Sequence, residues 1–579
     1  MSSRTARSYN HPPIHLSALT SNRRATATGW DSDPLPDAEV DVVIVGAGIG
    51  GLSAAALLGK YGVRAAVVEA HSVAGGAAHG FSRKGFHFDS GPSYFLGLSS
   101  PKGQSINGLR QVMDAVGEEV KAVTYNHCQF YFPDGDFRCV ADRESYRSAI
   151  RRFAGDGAVA EWDALEEAML PLGDMALATP FAAMRGDAGV ALTLGPYLPA
   201  MLGAGLSYGA AGLASLPLLQ GYFSTLVDKY VTDPWLKRML DLECFVISGL
   251  TAKETSAAEM AFLFRERHRE GAEYDYPLGG SQALVDALVR GVRKFGGSVT
   301  LRAPVERFLV EDGRVAGVRL ADGRELRARR KVVTNASVWD TMRLLPPPGE
   351  GGELDAAIAA ARAHVLGGDG EGAPACGSFM HLHVGIDAAG LPEDLGIHHM
   401  VVRNWDLGVE GDLNVFNISI PSALDPSLAP PGKHVVHIYG AANEPYEEWA
   451  HLERGSEEYE RKKAEKGEIL WAALEKAIPD VRERAEVAMV GTPLTQQRFV
   501  GRCNGTYGPA ADVTQRNLYG DDLLPGPDTG IAGLMAVGDS CFPGIGVPAA
   551  AGSGFYVANT LAGVGQQREL LREGIGANV

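Results

Sequence analysis

VDVVIVGAGIGG, residues 40–51, runs from a mostly apolar segment into three glycines spaced G-x-G-x-x-G. An apolar run bounded by glycine reads as a buried strand. LSAAALLGKYG, residues 52–62, then reads as a small-residue helix closed by Gly62. RAAVVEA, residues 64–70, is a second strand with Glu69 at its end. Strand, glycine turn, helix and strand make a βαβ unit. Gly46 supplies the tight turn, Gly48 lets a diphosphate approach the backbone, and Gly51 lets helix and strand pack closely. The helix N-terminus faces the phosphates, and Glu69, 23 residues after Gly46, is placed to bind ribose hydroxyls. The stretch predicts a dinucleotide site.

Composition narrows the rest. At 579 residues the chain is long enough for two to four domains, and its 45% hydrophobic and 21% charged fractions are those of a globular protein. The net charge of −17 argues against nucleic acid as the main partner, because phosphate binding needs a positive surface. The six cysteines (Cys128, Cys139, Cys244, Cys376, Cys503, Cys541) form no C-x-x-C and no metal-ligand spacing, which indicates a reduced compartment. The first 30 residues hold Arg4, Arg7, Arg23 and Arg24, have no acid before Asp31, and are rich in Ser and Thr. Either an organelle transit peptide or a plain N-terminal tail fits that composition.

The expected organisation is discontinuous. Residues 1–37 form the tail or transit peptide. Residues 38–110, 271–345 and 491–565 form the dinucleotide-binding domain, and 111–270 with 346–490 form a substrate and membrane-associating domain. The segment 111–270 reads as mostly helical. Within it Ala188 to Val227 carry no charge over 40 residues, but Pro196, Pro199 and Pro217 interrupt the run. An apolar flap that dips into a membrane or lines a tunnel fits this pattern, as does plain buried core. From Tyr276 the strand–helix alternation returns, with Asp312–Gly313 and Asp322–Gly323 as hairpin turns. SFMHLHVGI, residues 378–386, alternates as a strand, and a charged helix follows Gly455.

No second fingerprint of equal quality exists: Gly203-Ala-Gly205 has the wrong spacing, follows no strand and precedes no acid. One dinucleotide site with a returning C-terminal segment points to a flavin held across the whole fold. Gly75 and Gly76 offer a second close backbone approach to its diphosphate. Five stretches together resemble the carotenoid isomerase and phytoene desaturase family of flavoproteins, above all its plant and algal isomerase-like members. They are VVEAHSVAGGAAHGFSRKGFHFDSGPSYFLGL (67–98), YPLGGSQALVDALVRG (276–291), NASVWDT (335–341), GTPLTQQRFVGRCNGTYGP (491–509) and GLMAVGDSCFPGIGVPAAAGSG (533–554). The resemblance spans about residues 40 to 562 in collinear order.

It implies one FAD, an α/β fold with an amine-oxidase-like Rossmann domain and an inserted α+β substrate domain, and a hydrophobic polyene substrate. Gly538 and Asp539 would hold the ribityl and phosphate region, Gly546, Val547 and Pro548 would sit beside the flavin ring, and Val305 would contact adenine. Backbone N–H groups at that helix start would stabilise negative charge on a reduced flavin. Many wider amine-oxidase relatives have Arg after the Gly-Gly doublet; here it is Ala77, so backbone must meet most of the diphosphate charge.

The implied chemistry is a redox-neutral isomerisation or rearrangement of a carotenoid by reduced flavin, in a plastid and at a membrane. Desaturation, saturation or hydration on the same scaffold stay open. An amine oxidase would need an aromatic cage, for which the sequence carries no signal. An isoprenoid carrier like the GDP-dissociation inhibitors would lack bound flavin. In DLECFVISG, Asp241 and Glu243 are the candidate acid–base residues, if apolar surroundings raise their pKa. His381, His383, His398 and His399 allow metal ligation, but flavin chemistry needs no metal and none is assigned.

Overall fold

The computed structural model describes residues 30–36, 39–215, 217–218, 221–268, 272–367, 372–510, 517–520 and 525–575. Apart from 30–36, the expected tail or transit peptide lies outside the described residues.

Val40–Val45 forms the predicted strand, and its side chains divide between two cores. Val42 and Ile44 join one apolar cluster, while Val40, Val43 and Val45 join another on the opposite face. Burial on both faces explains the nearly unbroken apolar run. The strand lies centrally, parallel to Ala65–Val68 on one side and to Glu325–Thr334 on the other. Ser298–Thr300 adds in parallel beyond Ala65–Val68. Glu325–Thr334 pairs antiparallel with Arg314–Leu320 early on and parallel with Leu534–Ala536 later. Val305–Glu311 completes the seven strands. In the Asp312–Gly313 turn both residues have positive φ, 48° and 68°, as a two-residue hairpin turn requires.

Helix Ile49–Lys60 packs between Ser281–Lys294 and the C-terminal Val547–Leu561. Its contact with the latter is backbone-close. A Cβ at Gly554 would lie 2.7 Å from Ser53 Cβ and 2.9 Å from Ala54 N.

A second seven-stranded sheet runs in the order Ala485–Gly491, Ser378–Asp387, Lys433–Glu444, Val415–Ser419, His398–Val402, His127–Phe132, Gly135–Val140. One face, with Met380, Leu382, Val384, Phe416 and Ile438, packs against Leu470 and Leu474 of helix Glu457–Leu474. The other presents His381, His383, His437 and Tyr439. Within 111–270, read as mostly helical, the described residues of 143–267 are largely helix, but 122–140 holds three strands. HCQFYF alternates half-buried and buried, and Asp134–Gly135 follows it, so the period-two signal was present.

Replacing Gly554 with Ala weighs two effects. Better helix propensity offers about 1 kcal/mol, whereas overpacking costs about 1–3 kcal/mol. With backbone as the obstacle the second wins, and urea denaturation is expected to show a net loss of stability.

Candidate functional site

The carboxyl ends of Val40–Val45, Ala65–Val68, Glu325–Thr334 and Leu534–Ala536 open onto one cavity of about 810 Å³. In open α/β sheets this is where ligands bind. The glycine turn and the Gly75–Gly76 doublet are zipped together there: Gly75 N–H donates to Ala47 C=O at 2.8 Å, and a Cβ at Gly76 would lie 3.3 Å from Gly48 Cα. Positive φ at Gly46 (100°), Gly75 (123°) and Gly76 (57°) makes glycine the natural residue at each. The Glu69 carboxylate accepts from the N–H of Ala47 and of His71, each at 2.7 Å, which fixes its side chain while leaving lone pairs for a ribose.

Asn335 joins the halves of the site. With the amide turned so that both of its ends find partners, its nitrogen donates to Val537 C=O and its oxygen accepts from Gly48 N–H, both at 3.2 Å. A Cβ at Gly48 would come within 2.5 Å of the Asn335 amide, and one at Gly538 within 2.6 Å. At Gly50 a Cβ would come within 2.9 Å of both Asn335 and Gly538. The cradle therefore admits an extended group along bare backbone, which fits a dinucleotide diphosphate.

Of the residues singled out from sequence, Gly46, Gly48, Glu69, Gly75, Gly76, Val305, Gly538, Asp539, Gly546 and Val547 line this cavity. Val305 stands at the Glu69 end, since Ala303 N–H donates to Glu69 C=O at 2.8 Å. Gly51 lies behind the wall, where a Cβ would meet Gly46 O at 2.3 Å. Pro548 also sits off the lining, in the first turn of helix Val547–Leu561.

Asp241 and Glu243 do not line the cavity, although Val246 of the same helix, Pro234–Ser248, does. Arg267 grips the Glu243 carboxylate with two hydrogen bonds, 2.7 and 3.0 Å, so that carboxylate is held as half of a buried ion pair. Burial pushes the Asp241 carboxyl up, and its side chain accepts from Ala252 N–H at 3.0 Å.

The cavity wall also carries residues that the sequence reading missed. Phe379, Tyr439 and Tyr507 contribute aromatic side chains to it, together with Gln496, Arg502 and Asn335. Tyr507 lies in the GTYG of 505–508, and Phe379 shares the face of His381 at strand spacing. Phe379 stacks on His381 with centroids 5.0 Å apart, and Tyr507 is fixed by donating to Ile247 C=O at 2.8 Å.

His381, His383 and His437 bring their ring nitrogens within 4.8 Å of one another. The ring planes decide what that means. His381 Nδ1 and His437 Nε2 are 2.9 Å apart, in near-coplanar rings. His383 lies face to face with His437, centroids 4.1 Å apart and planes 9° apart. A metal must sit in the plane of each imidazole that binds it, so stacked rings do not form a chelate. Burial lowers the pKa of His381 to about 3 and of His383 to about 4, and takes His437 well below its usual value, leaving all three neutral.

Residues 49–562 match the model of the family described as flavin containing amine oxidoreductase. The chain is 32% identical to prolycopene isomerase 1, chloroplastic, of an Oncidium hybrid cultivar, over 96% of this chain and 88% of that protein. To the neurosporene-forming phytoene desaturase of Rhodobacter capsulatus it is 26% identical, over 90% of this chain and 93% of the other. The solved structure of wild-type putrescine oxidase bound to putrescine superposes with a TM-score of 0.54 at 16% identity, covering 93% of this chain and 99% of that one. That last likeness concerns the fold.

FAD is the cofactor, and its diphosphate gives Asn335 a measurable role. Asn335→Asp places a charge beside the Gly48 and Gly538 backbones. At an effective dielectric of about 20, each nearby like charge costs about 3 kcal/mol. FAD titration by flavin fluorescence is expected to give a Kd raised at least ~100-fold, and the melting temperature of the apoprotein is expected to fall as well, because Asp cannot donate to Val537 C=O. A βαβ glycine cradle, a returning C-terminal Gly-Asp turn and collinear similarity from end to end place this FAD enzyme in the flavin containing amine oxidoreductase family.

Proposed function

We propose that the protein isomerises a carotenoid or a similar polyene, with no net redox change, at a membrane surface. The observation that carries this reading is the 32% identity to a prolycopene isomerase over 96% of the chain, both sheets included. When bound and reduced, FAD would lend electron density to the conjugated chain, lowering the order of one double bond, and would recover it afterwards, so that no net reductant is consumed. The chain's own residues supply placement and environment. Backbone at Gly48, Gly50 and Gly538 would hold the diphosphate, Glu69 the ribose and Asp539 the ribityl region, and the N–H groups after Gly546 would stabilise negative charge on the ring. Phe379, His381, Tyr439 and Tyr507 form a neutral, flat-sided wall against which a planar polyene stacks and from which water is excluded. No proton transfer is assigned to Asp241 or Glu243. The likeness to a phytoene desaturase supports desaturation on the same scaffold as the second reading.

Membrane contact rests on an exposed apolar face. Val190–Ser207 is long and apolar enough to cross a membrane, yet only 11% of it is buried. Leu192, Leu198, Leu202 and Leu206 are 42–59% exposed. At 3.6 residues per turn they fall on one side of a helix. Pro196 and Pro199 lie within the run, which suits a segment lying in the interface rather than spanning the bilayer. The organelle named for the plant relative supports a plastid location.

Two measurements test these readings. The enzyme, loaded with FAD and reduced anaerobically, is expected to convert a poly-cis carotenoid to its trans form without consuming reductant; an unchanged polyene spectrum rejects isomerisation. Changing Leu192, Leu198, Leu202 and Leu206 together to Ser is expected to abolish flotation with neutral liposomes. Each exposed replacement alters stability by only about 0.5 kcal/mol.

A further inference from the structure

Arg502 and Asp539 form an ion pair in the cavity wall, Nη2 to Oδ2 at 2.5 Å, between residues 37 apart in the chain. Their side chains are only 16% and 23% exposed. Arg502 is held in place through its neighbour. Cys503 N–H donates to the Asp340 carboxylate at 2.9 Å, and Arg343 donates to Asp340 at 2.8 Å and to Cys503 Sγ at 3.1 Å. The 502–503 backbone is thus pinned to helix Val338–Leu344, and the guanidinium has a fixed origin. Asp539 is placed just as firmly, because Gly538 N–H donates to Ser553 Oγ at 2.8 Å and the Gly538 backbone abuts Gly50 and Asn335.

That position sets a carboxylate beside the bare backbone where the diphosphate belongs. An unmasked carboxylate there repels the phosphates in a half-shielded cavity, and at an effective dielectric of about 20 each such pair costs more than tenfold in affinity. Ala77, after the glycine doublet, brings no charge to offset it. We infer that Arg502 is a cofactor-positioning cation: it neutralises Asp539, so that this carboxylate accepts from the cofactor's hydroxyls without repelling its diphosphate. The assignment rests on FAD occupying this cavity, and FAD binding by the wild-type protein is the independent control.

The test is FAD affinity, read by quenching of flavin fluorescence at low and high salt, with apoprotein melting as the check on folding. Arg502→Gln is expected to weaken binding about 100-fold at low salt and, unlike the wild type, to bind more tightly as salt screens the repulsion. Arg502→Lys is expected to retain most of the affinity. Combining Arg502→Gln with Asp539→Asn is expected to recover binding to within about tenfold of wild type, because the charge that needed masking is gone. Asp539→Asn alone, which keeps the cation, is expected to bind within about threefold of wild type. Wild-type affinity in Arg502→Gln overturns the inference. A double variant as weak as Arg502→Gln also overturns it, since the cation would then act on the cofactor directly.

Discussion

Two stretches of backbone converge on the Asn335 side chain, and neither has room there for a Cβ. Gly48 and Gly50 flank the start of the first helix and Gly538 follows the strand Leu534–Ala536, and each would collide with the amide if it carried a methyl group. The missing Cβ atoms keep a strip of peptide groups bare at the carboxyl edge of the sheet and leave room for residues from opposite ends of the chain to meet at one point, where the Asn335 amide bonds to both. The Glu69 carboxylate, the Gly75–Gly76 doublet and the start of helix Val547–Leu561 are all positioned relative to that strip.

The second sheet solves a different problem. One face is packed into an ordinary apolar core against a charged helix, while the other offers rings to the cavity. Four polar side chains on this face, His381, His383, His437 and Tyr439, pack as flat aromatic groups. Burial keeps the histidines uncharged, so the wall has the shape and polarisability of an aromatic surface without a fixed field. Such a surface suits a long conjugated hydrocarbon. The leucines of Val190–Ser207 extend the same apolar chemistry to the outside of the molecule.

What the sequence reveals here is local. The βαβ unit, the hairpin turns at Asp312–Gly313 and Asp322–Gly323, and the cavity position of most glycines follow from backbone rules acting within a few residues. The strands at 127–140 obeyed such a rule too, and were overlooked beside the long helices that follow them. Residues whose importance comes from a distant partner were not legible. Nothing near Asn335 tells of Gly48 or Val537, and nothing near Arg502 tells of Asp539. Phe379, Tyr439 and Tyr507 become neighbours only when two segments fold together. The partner of Glu243 is equally remote: Arg267, 24 residues away, donates to its carboxylate.

The parallel pairing of Glu325–Thr334 with both Val40–Val45 and Leu534–Ala536 has a consequence for how the molecule is made. During synthesis the opening strand emerges almost three hundred residues before its neighbour on one side, and the strand that completes the nucleotide edge comes two hundred residues later still. Contacts so remote in the chain are slow to form because loop closure must precede them. The nascent protein thus carries an unfinished sheet, with apolar surface on both faces, through most of translation.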